Sequence, residues 1–445
     1  MLRFFVGSLI GLALGLHATA VGASGLALRE WSAAAQGSAY AGATAGADDI
    51  TFMAFNPAGL TRHKGSQAAL GAAYIAPHSE FSIDGATTVL TGTIGGGDGG
   101  EDGLPNTIAP SAYLSHQFSP RLFGGVSLTV PFGVLTEYDR DWVGRYHAID
   151  SEIKTLDLNP VLAYKVTPNL SIGGGLRIMY AEGRMTNAVD FGTIDVASLA
   201  GAFGGTPTMD DGYADVKGDD IGFGFNFGML YQVTPSTRVG AAYRSMVATD
   251  LEGDVRFNNG AVGDAISGTF GNFVNTGIVT EVNFPESVSF GIHHDVNPQW
   301  SVMAEAAWTR WSRLQEIRVK FDNPLQPDEV INGEWEDSWF LALGATYRHS
   351  DKLTARFGVA FDQTPVPHDR RTPRVPDQDR TWLSVGMQYA LGNGSSLDFG
   401  YTHLFLPDTS IDLTVADPAN TVRGNLSGSF SVDADVFIIQ FKTNL

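Results

Sequence analysis

Apolar and polar residues alternate along this chain with a period of two, the pattern of strands that face an apolar medium on one side and a polar one on the other. In residues 171–181 one face carries Ile172, Gly174, Leu176, Ile178 and Tyr180, and Arg177 falls on the other. In residues 287–296 Val288, Phe290, Ile292, His294 and Val296 oppose Ser289, Gly291, His293 and Asp295. Leu353, Ala355, Phe357, Val359 and Phe361 stand against Thr354, Arg356, Gly358, Ala360 and Asp362, and Leu383, Val385, Met387, Tyr389 and Leu391 repeat the pattern. The alternation predicts fourteen strands, near 67–76, 108–117, 122–130, 153–166, 170–181, 219–233, 237–249, 286–296, 300–311, 338–349, 353–361, 381–391, 395–405 and 431–445. Most have the roughly 9 to 11 residues that a tilted strand needs to cross a bilayer.

The connections alternate as well. Ser119-Pro120, Thr167-Pro168-Asn169, Thr234-Pro235-Ser236, Asn297-Pro298-Gln299, Ser350-Asp351-Lys352 and Gly392-Asn393-Gly394 are tight turns built from turn-forming residues, and long polar loops fill the other gaps. Short periplasmic turns and long extracellular loops are the habit of up-and-down outer-membrane barrels. A soluble sandwich would bury its apolar faces within about 100 residues per domain and has no need of this asymmetry. Phe437, Ile439, Phe441, Thr443 and Leu445 form one outward row that ends at the last residue, where the barrel assembly machinery reads such chains; Leu445 stands in place of the usual terminal aromatic. The fold expected is all-β: a 14-stranded antiparallel transmembrane β-barrel over residues 66–445, with an N-terminal, partly helical plug in its lumen.

Residues 1–23 read as a signal peptide: Arg3, an apolar stretch over 4–16, and small residues at Ala18-Thr19-Ala20 or Val21-Gly22-Ala23. Gly, Asp, Asn or Arg interrupts every later apolar run before the roughly 18 residues of a helical span. Without Arg3 the chain has 27 Lys+Arg against 48 Asp+Glu, net −21, which argues against nucleic acid as a partner. It has no cysteine, so an exported fold must be held by packing and backbone hydrogen bonds. Gly 53 with 11% aromatic and 17% charged residues suits strands that face lipid outside and pack closely inside.

Residues 24–65 do not alternate and are rich in Ala and Gly. Asn56, Pro57 and Ala58 read as a helix start, with Asn as cap and Pro at the first helical position. A barrel of intermediate size has a lumen too wide for side chains to fill, so this segment is expected inside it as a plug. Ser38-Ala39-Tyr40-Ala41-Gly42, Asp48-Asp49 and Asn56-Pro57-Ala58, then Pro131-Phe132-Gly133 with Thr136-Glu137-Tyr138, then Val375-Pro376-Asp377-Gln378-Asp379-Arg380 with Trp382-Leu383-Ser384, give the mature chain a close resemblance to the FadL-type family of outer-membrane long-chain fatty acid transporters. The resemblance implies a monomeric barrel in the Gram-negative outer membrane, among outer-membrane lipid and lipopolysaccharide, with a hydrophobic small molecule as ligand and no cofactor. It also implies release sideways into the bilayer through a gap at a kinked third strand. Pro131 lacks an amide donor and Gly133 tolerates unusual backbone angles, so Thr129, Val130, Pro131, Phe132 and Gly133 are the candidates for that opening.

Catalytic signatures are absent from the sequence: no Gly-x-Ser-x-Gly, no His-Glu-x-x-His, no cysteine ligand set. Residues 95–100 match Gly-x-Gly-x-x-Gly only formally; with Asp98, Glu101 and Asp102 they read as a polar loop, open to divalent cations. His293 and His294 are strand neighbours that point to opposite faces, which disfavours a shared metal. A buried fatty acid carboxylate needs a cationic or hydrogen-bonding partner, and the inward candidates are Arg177, Arg244, Arg348 and Arg356. Glu334-Trp335-Glu336-Asp337 and Asn187 place acids or an amide where fatty acid transporters of the family place bases. Aromatic or aliphatic hydrocarbons are therefore the alternative substrates. A structural surface barrel and an outer-membrane lipase are lesser readings; no enzyme activity is expected.

Overall fold

A strand inside a bilayer has no water to satisfy its amides and carbonyls, so a sheet that crosses it must close on itself. The computed structural model describes residues 25–99 and 103–445. The predicted leader, Glu101 and Asp102 lie outside the described residues. Twenty hydrogen-bonded segments join end to end into fourteen wall strands. These are β1 (Ser66–Thr87), β2 (Thr107–Gln117), β3 (Leu122–Thr129 and Gly133–Glu137), β4 (Asp150–Lys165), β5 (Leu170–Asp190), β6 (Asp211–Thr234) and β7 (Thr237–Arg244 and Val247–Asn258). The wall continues with β8 (Thr276–Phe284 and Ser287–Asp295), β9 (Trp300–Thr309 and Glu316–Phe321), β10 (Glu329–Asn332 and Ser338–Arg348) and β11 (Leu353–Asp362). It ends with β12 (Arg380–Gly392), β13 (Ser395–Phe405 and Thr409–Leu413) and β14 (Asn425–Asn444). Each pairs antiparallel with the next, and β1 closes on β14 from Gln67↔Asn444 to Thr87↔Asn425.

The predicted alternation holds in the wall. Leu114, Leu162, Leu176, Phe223, Phe290, Leu343, Phe357 and Phe441 point outward and are exposed, whereas Tyr113, Asp157, Arg177 and Arg356, on the strands of Leu114, Leu162, Leu176 and Phe357, are buried. Tyr164, Tyr231, Trp300 and Tyr389 stand exposed beside the periplasmic turns, the interfacial aromatic girdle of such barrels. The six predicted tight turns are the six short connections.

The strands are longer than predicted at their extracellular ends. β1 runs to Thr87 instead of residue 76, β5 to Asp190 instead of 181, and β6 begins at Asp211 instead of 219. Within β1 the outward row changes from Leu70 and Tyr74 to His78, Glu80 and Ser82 while Phe81 turns inward. The same face leaves lipid and meets water, so a search for apolar residues on it stops at the bilayer edge. Asn187, predicted to follow the fifth strand, lies within β5 for the same reason. Several strands are also broken: β3 at 130–132, β7 at Ser245-Met246 and β8 at Pro285-Glu286.

Residues 25–65 fill the lumen as a hatch and are almost wholly buried. The hatch holds one short helix, α1 (Ala33–Gln36), capped by Ser32, and three 3-10 turns. Asn56 caps the turn Pro57–Arg62 by accepting from Ala58 N, so the predicted helix start is present as a 3-10 helix. Two helices lie in the extracellular loops, α2 (Phe191–Leu199) and α3 (Gly260–Phe270).

Candidate functional site: a cationic cavity behind the third strand

Pro131 has no amide hydrogen, so β3 cannot continue its ladder there. Pairing with β2 runs from Gln117↔Phe123 to Ala112↔Leu128 and then stops, leaving residues 107–111 of β2 without a β3 partner among the described residues. β3 keeps its other neighbour, with Thr129↔Asp157 below the break and Gly133↔Lys154 above it. On the freed edge the start of the hatch takes the place of β2. Leu28 N donates to Pro131 O at 2.9 Å, Gly133 N donates to Leu26 O at 2.8 Å, and Ala27 bridges Phe132. Trp31 Nε1 donates to Val130 O at 3.0 Å, and Phe132 N donates to Thr155 Oγ1 at 2.9 Å. The polar groups of the kink are thus satisfied by the lumen, and none of these bonds is made with β2.

Behind the kink lies a cavity with a volume of ≈ 70 Å³, bounded by Leu28, Trp31, Phe55, Pro131 and Phe132 on its apolar side. Trp31 and Phe55 stack with ring centroids 5.1 Å apart. Its polar side is charged. Arg177 Nε and Arg244 Nη2 both reach Asp157 Oδ2, at 2.6 and 3.0 Å, and Arg177 Nη1 donates to Ser245 O, the carbonyl that the break in β7 frees. The Arg244 guanidinium lies 5.0 Å from the Trp31 ring centroid and donates to Ala54 O of the hatch. Across the cavity Glu305 accepts from Thr44 N at 3.1 Å and from Thr44 Oγ1. Arg29 lines it too. Arg177 and Arg244 thus share the single carboxylate of Asp157, a surplus of one positive charge in a largely buried space, while the Arg29 guanidinium lies 4.1 Å from the Phe340 ring centroid.

The rest of the hatch is bound to the wall. Asp48 lies 3.7 Å from Arg356 and 4.0 Å from Arg238, and Arg356 also pairs with Asp398 at 3.0 Å. Asn56 Nδ2 donates to Thr44 O and to Met229 O of β6, which ties one hatch segment to another and both to the barrel. Wall glycines make the room. A Cβ on Gly240 would sit 2.0 Å from Thr44 O, and one on Gly358 would sit 2.1 Å from the Ser38 carbonyl carbon.

Residues 14–445 match the family described as "Outer membrane protein transport protein (OMPP1/FadL/TodX)". The chain is 31% identical over 417 residues to a "Long-chain fatty acid transport protein" of Escherichia coli O6:H1, covering 90% of this chain and 91% of that one. It is 28% identical over 437 residues to "Outer membrane protein P1" of Haemophilus influenzae, covering 91% and 90%. The crystal structure of a Pseudomonas aeruginosa FadL homologue matches with a TM-score of 0.87 at 25% identity, over 95% of this chain and all of that one. The Ralstonia pickettii toluene transporter TbuX shares the fold, with a TM-score of 0.65 at 20% identity over 92% and 98%. The chain belongs to the FadL family. It is an outer-membrane transport barrel for hydrophobic compounds.

Of the candidate head-contact residues, this FadL-family barrel brings Arg177 and Arg244 to the cavity. Arg356 is committed to Asp398 and the hatch, and Arg348 stands at the periplasmic rim, 3.6 Å from Asp295. His293 is buried against Asp295, whereas His294 meets Thr237, so the two do part to opposite faces. Glu334 pairs with Arg370 and Asp337 accepts from Ser312 N. Asp157, Glu305, Thr44 and Trp31 were not singled out in the sequence. The polar inward row Thr155, Asp157, Asn159 opposite Leu156, Leu158 and Pro160 is the one signal that could have found Asp157. Among the described residues no group of His, Asp and Glu is arranged to hold a metal, and Asp98 is the only acid of the 95–102 loop that is described.

Proposed function

We propose that this barrel takes up long-chain fatty acids, carries them without chemical change, and releases them sideways into the bilayer where β3 leaves β2. The observation that carries this reading is the surplus guanidinium charge at Arg177 and Arg244 in an apolar cavity that abuts the kink. A carboxylate buried beside apolar surface needs a charged donor, and a guanidinium supplies two parallel ones. An uncharged hydrocarbon has no use for it. The E. coli relative named as a long-chain fatty acid transporter, similar along nine-tenths of the chain, supports the same substrate class.

Sideways release follows from the ligand's own solubility. Passing from lumen to lipid keeps the alkyl chain out of water, worth about 0.8 kcal/mol per CH₂, whereas the periplasm would hydrate it. The cavity as it stands is smaller than the roughly 300 Å³ at the low end of ligand pockets. Binding therefore requires the first hatch residues, which line it, to withdraw, and the same residues hold the edge of β3. Outside, Met209, Phe270 and Leu325 expose apolar side chains beside α2 and α3, a surface on which an amphiphile first settles. Because β1 closes on β14, the wall has no terminal edge strand to pair with another chain, in keeping with a monomer.

Arg177→Gln keeps the size and one donor but removes the charge. Oleate binding to the purified barrel should weaken about tenfold or more, the worth of a charge-assisted hydrogen bond, and toluene binding should stay as it was. Equal affinity for oleate in the two proteins would remove the fatty acid reading.

A further inference from the structure

We propose that the outer surface of β2–β5, below the place where β3 parts from β2, is a track that leads a released fatty acid to the periplasmic leaflet. This rests on the sideways release proposed above. The lipid-facing wall is hollowed there into a trough of ≈ 880 Å³. Gly124, Pro160 and Gly174 form its low floor, and Leu114, Leu162 and Leu176 rise on its flanks, each more than half exposed. Its upper end at Leu114 and Val126 is one outward row below Ala112↔Leu128, the last pair before the strands separate. From Leu114 to Phe118 the trough runs four residues along β2, about 13 Å at the usual rise per residue. An alkyl chain leaving the lumen meets this apolar channel first.

The lower end is cationic. Lys165 N donates to Arg121 O at 2.8 Å, so the two turns that close β2–β3 and β4–β5 carry their basic residues side by side. Arg121 is exposed and Lys165 half-exposed, and neither has a carboxylate partner among the described residues. Residues 114–124 and 162–172 contain no Asp or Glu. Leu445 also lines the trough, on its β1 side with Ser66 and His116. Above the kink the same sector carries Glu137, Asp139 and Asp141 against the single base Arg140, a net negative stretch. A fatty acid has an alkyl chain and an anionic head; the trough fits the chain, its lower end attracts the head, and the acids above disfavour the opposite direction.

Two variants leave the lumen and the kink untouched: Arg121→Glu with Lys165→Glu, and Val126→Trp, which fills the trough. Uptake of radiolabelled oleate by expressing cells should fall severalfold in each, with the barrel folded as judged by heat-dependent migration in gels. A fatty acid with a photoreactive tail, irradiated in outer-membrane vesicles, should label the outer rows of β2–β5. Wild-type uptake in both folded variants would overturn the track. So would an anionic phospholipid retained in the trough by the purified protein together with no photolabelling there. A bulky block at Thr129 separates the two ideas: if it stops uptake while these variants do not, only the track fails, and if it too leaves uptake intact, sideways release fails with it.

Discussion

His147 shows how a single residue ties this barrel to its surroundings. It lies buried in the extracellular connection between β3 and β4, in the same loop as Trp142 and Tyr146, and its Nε2 has no hydrogen-bond partner among the described residues. Burial, with Arg423 and Arg374 adding to it, pushes the imidazole down from 6.5 to about 3. The opened loop binds a proton below pH 6.5 and the closed one does not, so the stability of the closed form is complete above 6.5 and declines as pH falls towards 3. At pH 5 the loss is about 2 kcal/mol. Protease cleavage within residues 138–149, compared at pH 7.5 and 5, should accelerate in the wild type and stay nearly level in His147→Leu; equal acceleration in both would assign the effect elsewhere. At the ligand cavity the residues divide by legibility. Arg177 could be found because it interrupts an apolar alternation. Glu305 and Thr44 could not, since only the fold brings positions 261 residues apart into contact.

At the scale of elements, the strands were legible wherever one face meets lipid, because lipid imposes a strict rule on that face. Above the bilayer the rule lapses, as the change from Tyr74 to His78 and Glu80 along β1 shows, and the predicted ends fall short there. The kink was legible through Pro131. Its partner was not, because the pairing of Leu26 and Leu28 with β3 has no local signature. The hatch explains much of the glycine content: its main chain lies against the wall at Gly240, Gly358 and Gly386, where any side chain would collide with backbone. Gly358→Val should displace the hatch near Ser38 at a cost of about 1 to 3 kcal/mol, as for other overpacked sites. Planar-bilayer recordings should then show ion conductance that the wild type lacks, with heat-dependent migration retained. A silent, folded variant would mean that the hatch accommodates the added bulk.

At the scale of the whole molecule, the closed sheet, the hatch and the kink form one mechanical unit. The hatch fills the lumen, its first residues cap the edge that β3 turns away from β2, and the same residues occupy the space that an alkyl chain requires. Moving them both makes room for a ligand and frees the wall. The measurement that tests this most directly exploits the absence of cysteine. A single Thr129→Cys barrel, modified with a bulky methanethiosulfonate reagent, should take up oleate no faster than cells without the protein, and a reducing agent that removes the adduct should restore the wild-type rate. Undiminished oleate uptake through a fully modified, folded barrel would show that the ligand does not leave through the wall at the third strand.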